Sequence, residues 1–401
     1  MIRRNEYLKK LLGFRDRDLI KVVTGIRRCG KSTLLHMFRD LLSAEGVSEE
    51  HITFLNFEDM DNAHLRDPKT LHDYVVSRLS PSARNYVFLD EVQNVRDFPT
   101  VVDSLFIRKN IDLYVTGSNA HMLSGEIATQ MSGRYVEIFM LPLSFSEYLL
   151  FPASDEGSME RRYADYLRYG SFPYATQLAP DADLVADYLG GIYSTVVLKD
   201  VVARTQIANM SVLDGLIRFM ADNIGCPLST KKISDTLSSF GRGISPHTVD
   251  SYLSALENAF IFYRARRYDV KGKAHLKTGD KYYIVDIGLR YWLLGSRSTD
   301  VGRMLENVVY LELRRRHREV YVGKAGDWEI DFVAMDAGGL AYYQVAATVR
   351  DENTLARELR PLQTIKDSYP KYLLTLDNDP PADYDGIRRI NALDFLAEGK
   401  R

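Results

Sequence analysis

Between Leu19 and Leu34 the chain reads LIKVVTGIRRCGKSTL: a short apolar run, then Gly25-x-x-x-x-Gly30-Lys31-Ser32, then a helical pattern. Leu19, Ile20, Val22, Val23 and Thr24 form the nearly continuous run expected of a parallel strand covered on both faces. Beyond the loop, Leu34, Leu35, Phe38, Leu41 and Leu42 recur at helical spacing. The two glycines permit a tight turn, so that backbone N–H groups and the next helix N-terminus face an anion. In this setting Lys31 is placed to meet the β and γ phosphates of a nucleoside triphosphate, and Ser32 to offer a hydroxyl to Mg²⁺. Ile26, Arg27, Arg28, Cys29 and Thr33 complete the segment that would wrap the phosphates.

A second apolar run, Tyr86-Val87-Phe88-Leu89, ends in Asp90 and Glu91. Two acids at a strand tip suit a division of labour: Asp90 supports the metal shell, and Glu91 orients and polarises the attacking water. The spacing places that tip on a strand neighbouring the glycine loop. A third run, Ile111 to Val115, ends in Thr116-Gly117-Ser118-Asn119. Ser118 and Asn119 either touch the terminal phosphate or cap the next helix. Arg134, in Ser132-Gly133-Arg134-Tyr135, is a candidate for charge stabilisation at the γ-phosphate, in cis or across a subunit boundary, or for a surface ion pair.

At 401 residues the chain exceeds one typical core, so two or three domains are expected. Its 52 basic and 54 acidic residues leave a formal charge of −2, which supplies no global attraction to nucleic acid; any such contact needs a local patch. Cys29 and Cys226 are the two cysteines, without metal-like spacing, as expected of a reducing cytoplasm. No stretch approaches a membrane span, and Tyr7, Leu8, Leu11 and Leu12 suit an amphipathic helix ahead of the first strand.

Ile52 to Phe57 reads as a strand at the sheet edge. Past Pro142 and the stretch 152–158, helices are expected over Arg161 to Arg168 and Asp183 to Arg204, broken at Gly170-Ser171-Phe172-Pro173. From about Leu228 two short helices, the second opened by Ser245-Pro246, precede strands at Tyr263 to Tyr268 and Lys281 to Val285 around Lys271-Gly272-Lys273. Such an order predicts a winged-helix-like module. Read as a DNA-binding unit, it would turn His247, Thr248, Ser251 and Ser254 to a groove and Arg264, Arg266, Arg267, Lys271 and Lys273 to phosphates; read as a packing module, it would not. The remaining chain reads α-β-β-β-α-β: a helix over Val301 to His317, strands at Val320 to Val322, Trp328 to Met335 and Leu340 to Val349, a helix at Thr354 to Lys366 and a strand at Lys371 to Leu376.

Taken together, Gly25 to Ser32, Leu89-Asp90-Glu91-Val92-Gln93, Thr116-Gly117-Ser118-Asn119, Gly133-Arg134, Leu141-Pro142-Leu143-Ser144-Phe145 and the Glu306 to Gln344 block resemble the bacterial and archaeal AAA-type P-loop ATPases with a C-terminal domain of unknown function related to PD-(D/E)XK nucleases. The resemblance implies an α/β chain with a three-layer ASCE/AAA-like P-loop NTPase domain over residues 1–145 and a helical lid or linker over 146–225. A winged-helix-like module over 226–285 and a PD-(D/E)XK-like domain over 286–401 follow. It implies ATP and Mg²⁺ as ligands and ATP hydrolysis coupled to rearrangement of the C-terminal modules, with a nucleotide-dependent DNA-binding switch of little turnover or an active DNA nuclease as alternatives; the partners expected are DNA, through the winged-helix-like module, and further copies of the chain. In the nuclease family an acid on the first helix, an Asp, and an acid two residues before a Lys hold Mg²⁺. Glu306 and Asp331 match the first two positions, whereas Gln344 and Ala346 stand where the acid and Lys belong. Gln344 still offers an oxygen, but Ala346 supplies no cation, so the site is expected to be degenerate, with Arg350 or Lys324 as substitute cations. The Arg314 to Arg318 run either meets a phosphate backbone or simply complements a helix C-terminus.

Overall fold

The computed structural model describes residues 2–120, 133–151, 157–202, 209–239, 241, 243–272, 274–276, 279–295 and 300–399. The chain divides into two compact units, residues 1–140 with 258–260, and residues 141–257 with 261–401.

In the first unit, β1 (Ile20–Thr24), β2 (Ile52–Asn56), β3 (Asn85–Asp90), β4 (Ile111–Gly117) and β5 (Tyr135–Phe139) form one sheet in the order β2-β3-β4-β1-β5, parallel throughout. Every residue of β1, β3 and β4 is buried, whereas edge strand β2 alternates between buried and half-buried. This contrast is what helices on both faces of a parallel sheet produce. On one face Phe38 of α2 (Lys31–Ala44) packs on Tyr114, with ring centroids 5.1 Å apart. On the other, Leu71 and Val75 of α3 (Pro68–Ser77) and Val101, Val102 and Leu105 of α4 (Phe98–Phe106) share a core with Val22, Val87, Leu89 and Val115. The leading helix α1 (Asn5–Phe14) buries Tyr7, Leu8 and Leu11, as its pattern predicts, while Leu12 is exposed.

One expectation is corrected. The strand carrying Asp90 does not neighbour β1, because β4 lies between them. A continuous apolar run reads the same at any central position of a sheet, so chain order alone does not supply strand order.

The second unit opens with helices at Phe145–Tyr148, Met159–Tyr169 and Ala182–Thr195; the last continues in wider π-helical turns through Val196–Val202. Arg204, its expected end, lies outside the described residues. The expected break at Gly170 has a specific cause. Gly170 has φ +82°, and a Cβ there would sit 2.6 Å from a carboxylate oxygen of Asp286, which accepts hydrogen bonds from the Ser171 N–H and hydroxyl.

Helices Thr230–Ser239 and Pro246–Asn258 are followed by β6 (Phe262–Ala265), β7 (Arg267–Asp269), β8 (Ala274–His275) and β9 (Lys281–Ile284). β6 pairs with β9, but β7 and β8 do not form a free wing. β7 runs parallel to β10 (Glu319–Ala325) and places the hairpin at the edge of an eight-stranded sheet. Two of the cations expected to meet phosphates are held by internal acids: Arg264 pairs with Asp280 at 2.6 Å and Arg267 with Glu329 at 3.4 Å. Lys273 lies outside the described residues. His247, Ser251 and Ser254 are exposed on their helix.

The large sheet continues through β11 (Trp328–Asp336), β12 (Gly339–Ala346), β13 (Lys371–Thr375), β15 (Ile387–Asn391) and β14 (Ala382–Tyr384). With helices Val301–Arg316 and Glu352–Gln363 this is the α-β-β-β-α-β order read from the sequence; β14, β15 and the helix Ala392–Ala397 extend it. Among the described residues, no helix is long and apolar enough to cross a membrane.

Candidate functional site

The glycine loop leaves β1 at a crowded point. Gly25 has φ +146°, and a Cβ on it would lie 2.1 Å from the Met140 carbonyl oxygen, so no other residue fits without moving backbone. Arg28 and Gly30 also take positive φ, +68° and +104°, winding the loop into the start of α2 at Lys31. Gly30 caps that helix without a side chain, so the first-turn N–H groups of Lys31, Ser32 and Thr33 are not claimed by a capping side chain. Ile26 and Cys29 are buried beneath the loop, and burial raises the Cys29 thiol above its ordinary pKa, which marks it as a packing residue. Arg4 braces the loop from below by donating to the Cys29 carbonyl at 3.2 Å, and Arg27 reaches Glu58 at 2.6 Å.

Lys31 is buried, its ammonium donating to the carbonyls of Gly25 (3.0 Å) and Ile26 (3.2 Å) and lying 3.5 Å from a carboxylate oxygen of Glu91. The register explains the meeting: Val23 and Thr24 of β1 stand beside Thr116 and Gly117 of β4, and Leu89 of β3 beside Val115, so all three strands end at one rim. Asp90 accepts from the hydroxyls of Thr116 (2.5 Å) and Ser32, and from Asn56 Nδ2 (3.0 Å). Burial pushes its carboxyl above the ordinary range despite those bonds. A hydroxyl and a carboxylate held side by side form the hard-oxygen pair that Mg²⁺ takes when phosphate oxygens and waters fill its remaining positions, so Ser32 and Asp90 fit that ion. Glu91 moves the other way. Burial alone would raise it, but Lys31, then Gln93, Arg27 and Ser118, together hold it below its usual range and keep it ionised.

The structure thus brings together Gly25 to Thr33, Asp90, Glu91, Ser118 and Asn119, the last two both buried at the tip of β4. Three further participants, Asn56, Gln93 and Thr116, were not selected as site residues, although Gln93 and Thr116 lie within runs that carry the family resemblance. Arg134 is not part of this rim, which corrects the cis reading. It precedes β5, whose first residue Tyr135 is level with Ile20 at the start of β1, while the loop follows Thr24, level with Phe139. Four residues of strand, about 13 Å, separate the two levels, and the Arg134 guanidinium is paired with Asp103.

A second group of sequence-selected residues meets in the second unit. The Lys281 ammonium lies 3.0 Å from Glu306, 3.0 Å from Glu329 and 3.8 Å from Asp331, and the Tyr283 hydroxyl donates to Glu306 at 2.7 Å. Gln344 accepts from the Asp331 N–H at 3.4 Å and donates to Glu358 at 2.9 Å. The cation therefore comes from β9, 65 residues before position 346 where it was sought, and neither Arg350 nor Lys324 supplies it; Arg350 faces Asp377 and Asp379. Burial would lower Lys281, yet Glu306, Asp331 and Glu329 more than reverse this. Burial first and the Glu306 charge second push Asp331 up to about 8. Among the described residues no group of three or more His, Cys, Asp or Glu side chains is arranged to hold a metal ion. The carboxylates converge on an ammonium instead.

Comparison with known proteins places these observations. Residues 17–149 match a family described as an AAA domain, and residues 160–300 one described as a domain of unknown function, DUF8612. An uncharacterized protein of Haemophilus influenzae is 41% identical over 401 residues, covering 99% of each chain. One of Methanocaldococcus jannaschii is 29% identical, covering 78% of this chain and 71% of its own. Among solved structures, the fold resembles that of a Walker-type ATPase of Pyrococcus abyssi, with a TM-score of 0.51 and 17% identity, covering 73% of this chain and 96% of that one. The chain belongs to the same family as the Haemophilus influenzae protein, and its N-terminal part is an AAA-type P-loop domain.

Proposed function

We propose that this protein binds ATP with Mg²⁺ and hydrolyses it to ADP and phosphate. The observation that carries the reading is the convergence of Lys31, Ser32, Asp90 and Glu91 on one rim of the parallel sheet, with Lys31 and Glu91 3.5 Å apart. Lys31 and the first-turn N–H groups of α2 receive the phosphates. Ser32 and Asp90 hold the ion, which when bound offsets charge on the β and γ phosphates. Glu91, kept ionised by its neighbours, takes a proton from the attacking water. A nucleotide-dependent switch without turnover has no use for such a base, which favours hydrolysis over binding alone.

The test is Glu91→Gln with labelled ATP. Nucleotide binding is expected to persist while phosphate release falls by roughly 100-fold or more. Equal release from both proteins would overturn the assignment of Glu91, and failure of the wild-type chain to bind ATP would overturn the reading itself. Repeating the assay with duplex DNA asks whether the second unit responds to turnover.

A further inference from the structure

Glu91 is held at both oxygens. Lys31 lies against one; the other accepts a hydrogen bond from Gln93 Nε2, two residues further along in the single 3₁₀ turn Val92–Asn94. The turn has a defined entry. Glu91 itself takes a left-handed conformation, φ 55° and ψ 48°, with its N–H fixed on the Thr116 hydroxyl at 2.8 Å. That sharp exit from β3 folds Gln93 back toward the residue it follows. The same Nε2 also donates to the Ser118 hydroxyl at 3.3 Å, and that hydroxyl in turn contacts Glu91. A carboxylate accepts and cannot donate, so the amide nitrogen must be the atom facing it, which fixes where the amide oxygen lies. That oxygen, Gln93 Oε1, is buried and has no hydrogen-bond partner among the described residues. An unmet buried acceptor beside a base is costly unless something else fills it.

We propose that Gln93 is the positioning residue of the hydrolytic site: its amide nitrogen fixes the rotation of Glu91, and its amide oxygen is an acceptor for the attacking water. The inference rests on the ATPase reading given above. Lys31 lies against one Glu91 oxygen and Gln93 donates to the other. ATP draws the Lys31 ammonium to its phosphates, which frees one Glu91 oxygen while Gln93 keeps hold of the other. One water hydrogen then meets the freed Glu91 oxygen and the second meets Gln93 Oε1, leaving an oxygen lone pair for the γ-phosphorus. As the water oxygen bonds to phosphorus, its proton passes to Glu91, the bond from phosphorus to the β,γ-bridging oxygen breaks, and the electron pair leaves with ADP. Ser118, read from the sequence as a phosphate contact or a cap, acts here by holding the Gln93 amide.

The experiment compares wild type, Glu91→Gln, Gln93→Met and Ser118→Ala, each checked by thermal unfolding and by binding of a fluorescent ATP analogue. Gln93→Met keeps the side-chain length and removes both amide atoms. It is expected to leave the analogue's affinity within about threefold while kcat drops roughly 10- to 100-fold. The loss is expected in kcat with KM held within about threefold, a split that general loosening of the fold would not produce. Ser118→Ala should move kcat in the same direction by a smaller factor. Turnover lost in Glu91→Gln but unchanged in Gln93→Met overturns the Gln93 assignment alone. No turnover in wild type overturns both it and the reading beneath it. If Gln93→Met unfolds, an unchanged kcat in Ser118→Ala overturns it instead.

Discussion

Among the buried lysines that meet carboxylates in the described residues, Lys31 and Lys281 have surroundings that give them opposite uses. Lys31 has one carboxylate at 3.5 Å and two carbonyls, at the rim of a parallel sheet where a glycine loop turns into a helix whose first N–H groups have no side-chain cap. Lys281 has two carboxylates at 3.0 Å and a third at 3.8 Å, inside an α/β unit with a tyrosine hydroxyl closing over Glu306. The first lysine is only partly matched and retains capacity for an anion. The second is outnumbered by acids and serves as their internal counter-ion. An ion pair by itself therefore says little about function; the balance of charge around it, and the backbone it sits on, decide whether it is a site or a brace.

That contrast breaks most directly under paired substitutions. Removing one partner from a buried ion cluster leaves uncompensated charge, so Lys281→Met should lower stability by about 3–5 kcal/mol in chemical denaturation while ATP binding by the remaining folded protein is unchanged. Lys31→Met should do the reverse, abolishing nucleotide binding with the smaller loss of stability, since Glu91 keeps its contacts with Gln93 and Ser118. If Lys281→Met leaves stability intact, or Lys31→Met is the more destabilised protein, the distinction fails.

A pH series sharpens the same point. Asp331, raised to about 8, binds a proton in the folded state across a range where the unfolded chain has released it. The folded state then holds more protons than the unfolded one, so this group's contribution to stability falls as pH rises between about 4 and 8. Asp331→Asn removes that dependence and should unfold at a higher temperature than wild type near pH 8, with the gap closing near pH 5. Parallel melting curves for the two proteins across this window would show that Asp331 is not the proton holder.

The smallest effect is expected at Arg134. With its guanidinium on Asp103 and about 13 Å of strand between its level and the glycine loop, Arg134→Ala should cost no more than about 1 kcal/mol and leave turnover of the isolated protein unchanged. A fall in turnover that mixing with Lys31→Met restores would instead identify Arg134 as a residue supplied across a subunit boundary.

Much of the first site was legible because its chemistry is local in sequence. Gly25 to Ser32 is contiguous, and Asp90 and Glu91 stand together at the end of an apolar run, so residue type and strand pattern were enough to select them. Gln93 was quoted within a family motif but given no role, because its role depends on the left-handed turn at Glu91, which no residue preference announces. Lys281 escaped for a different reason: the cation was sought at Ala346, on the strand where family spacing puts it, while the chain delivers one from β9. For Arg134 the sequence left a γ-phosphate role and an ion pair both open, and the structure pairs it with Asp103 at the start of β5, because sequence does not say which end of a parallel strand a residue occupies until the register is known.

The sequence by itself determined the phosphate loop, the acids at the tip of β3 and the α-β-β-β-α-β order of the last segment, since each is a run of neighbours whose periodicity and backbone demands are short-range. Only the tertiary structure decided that β4 separates the loop from those acids, that Gln93 grips Glu91, and that Lys281 lies among Glu306, Glu329 and Asp331. These are meetings between residues far apart in the chain or turned by one backbone angle. They follow from strand order, register and burial, which many weak contacts fix collectively and no short stretch of residues encodes.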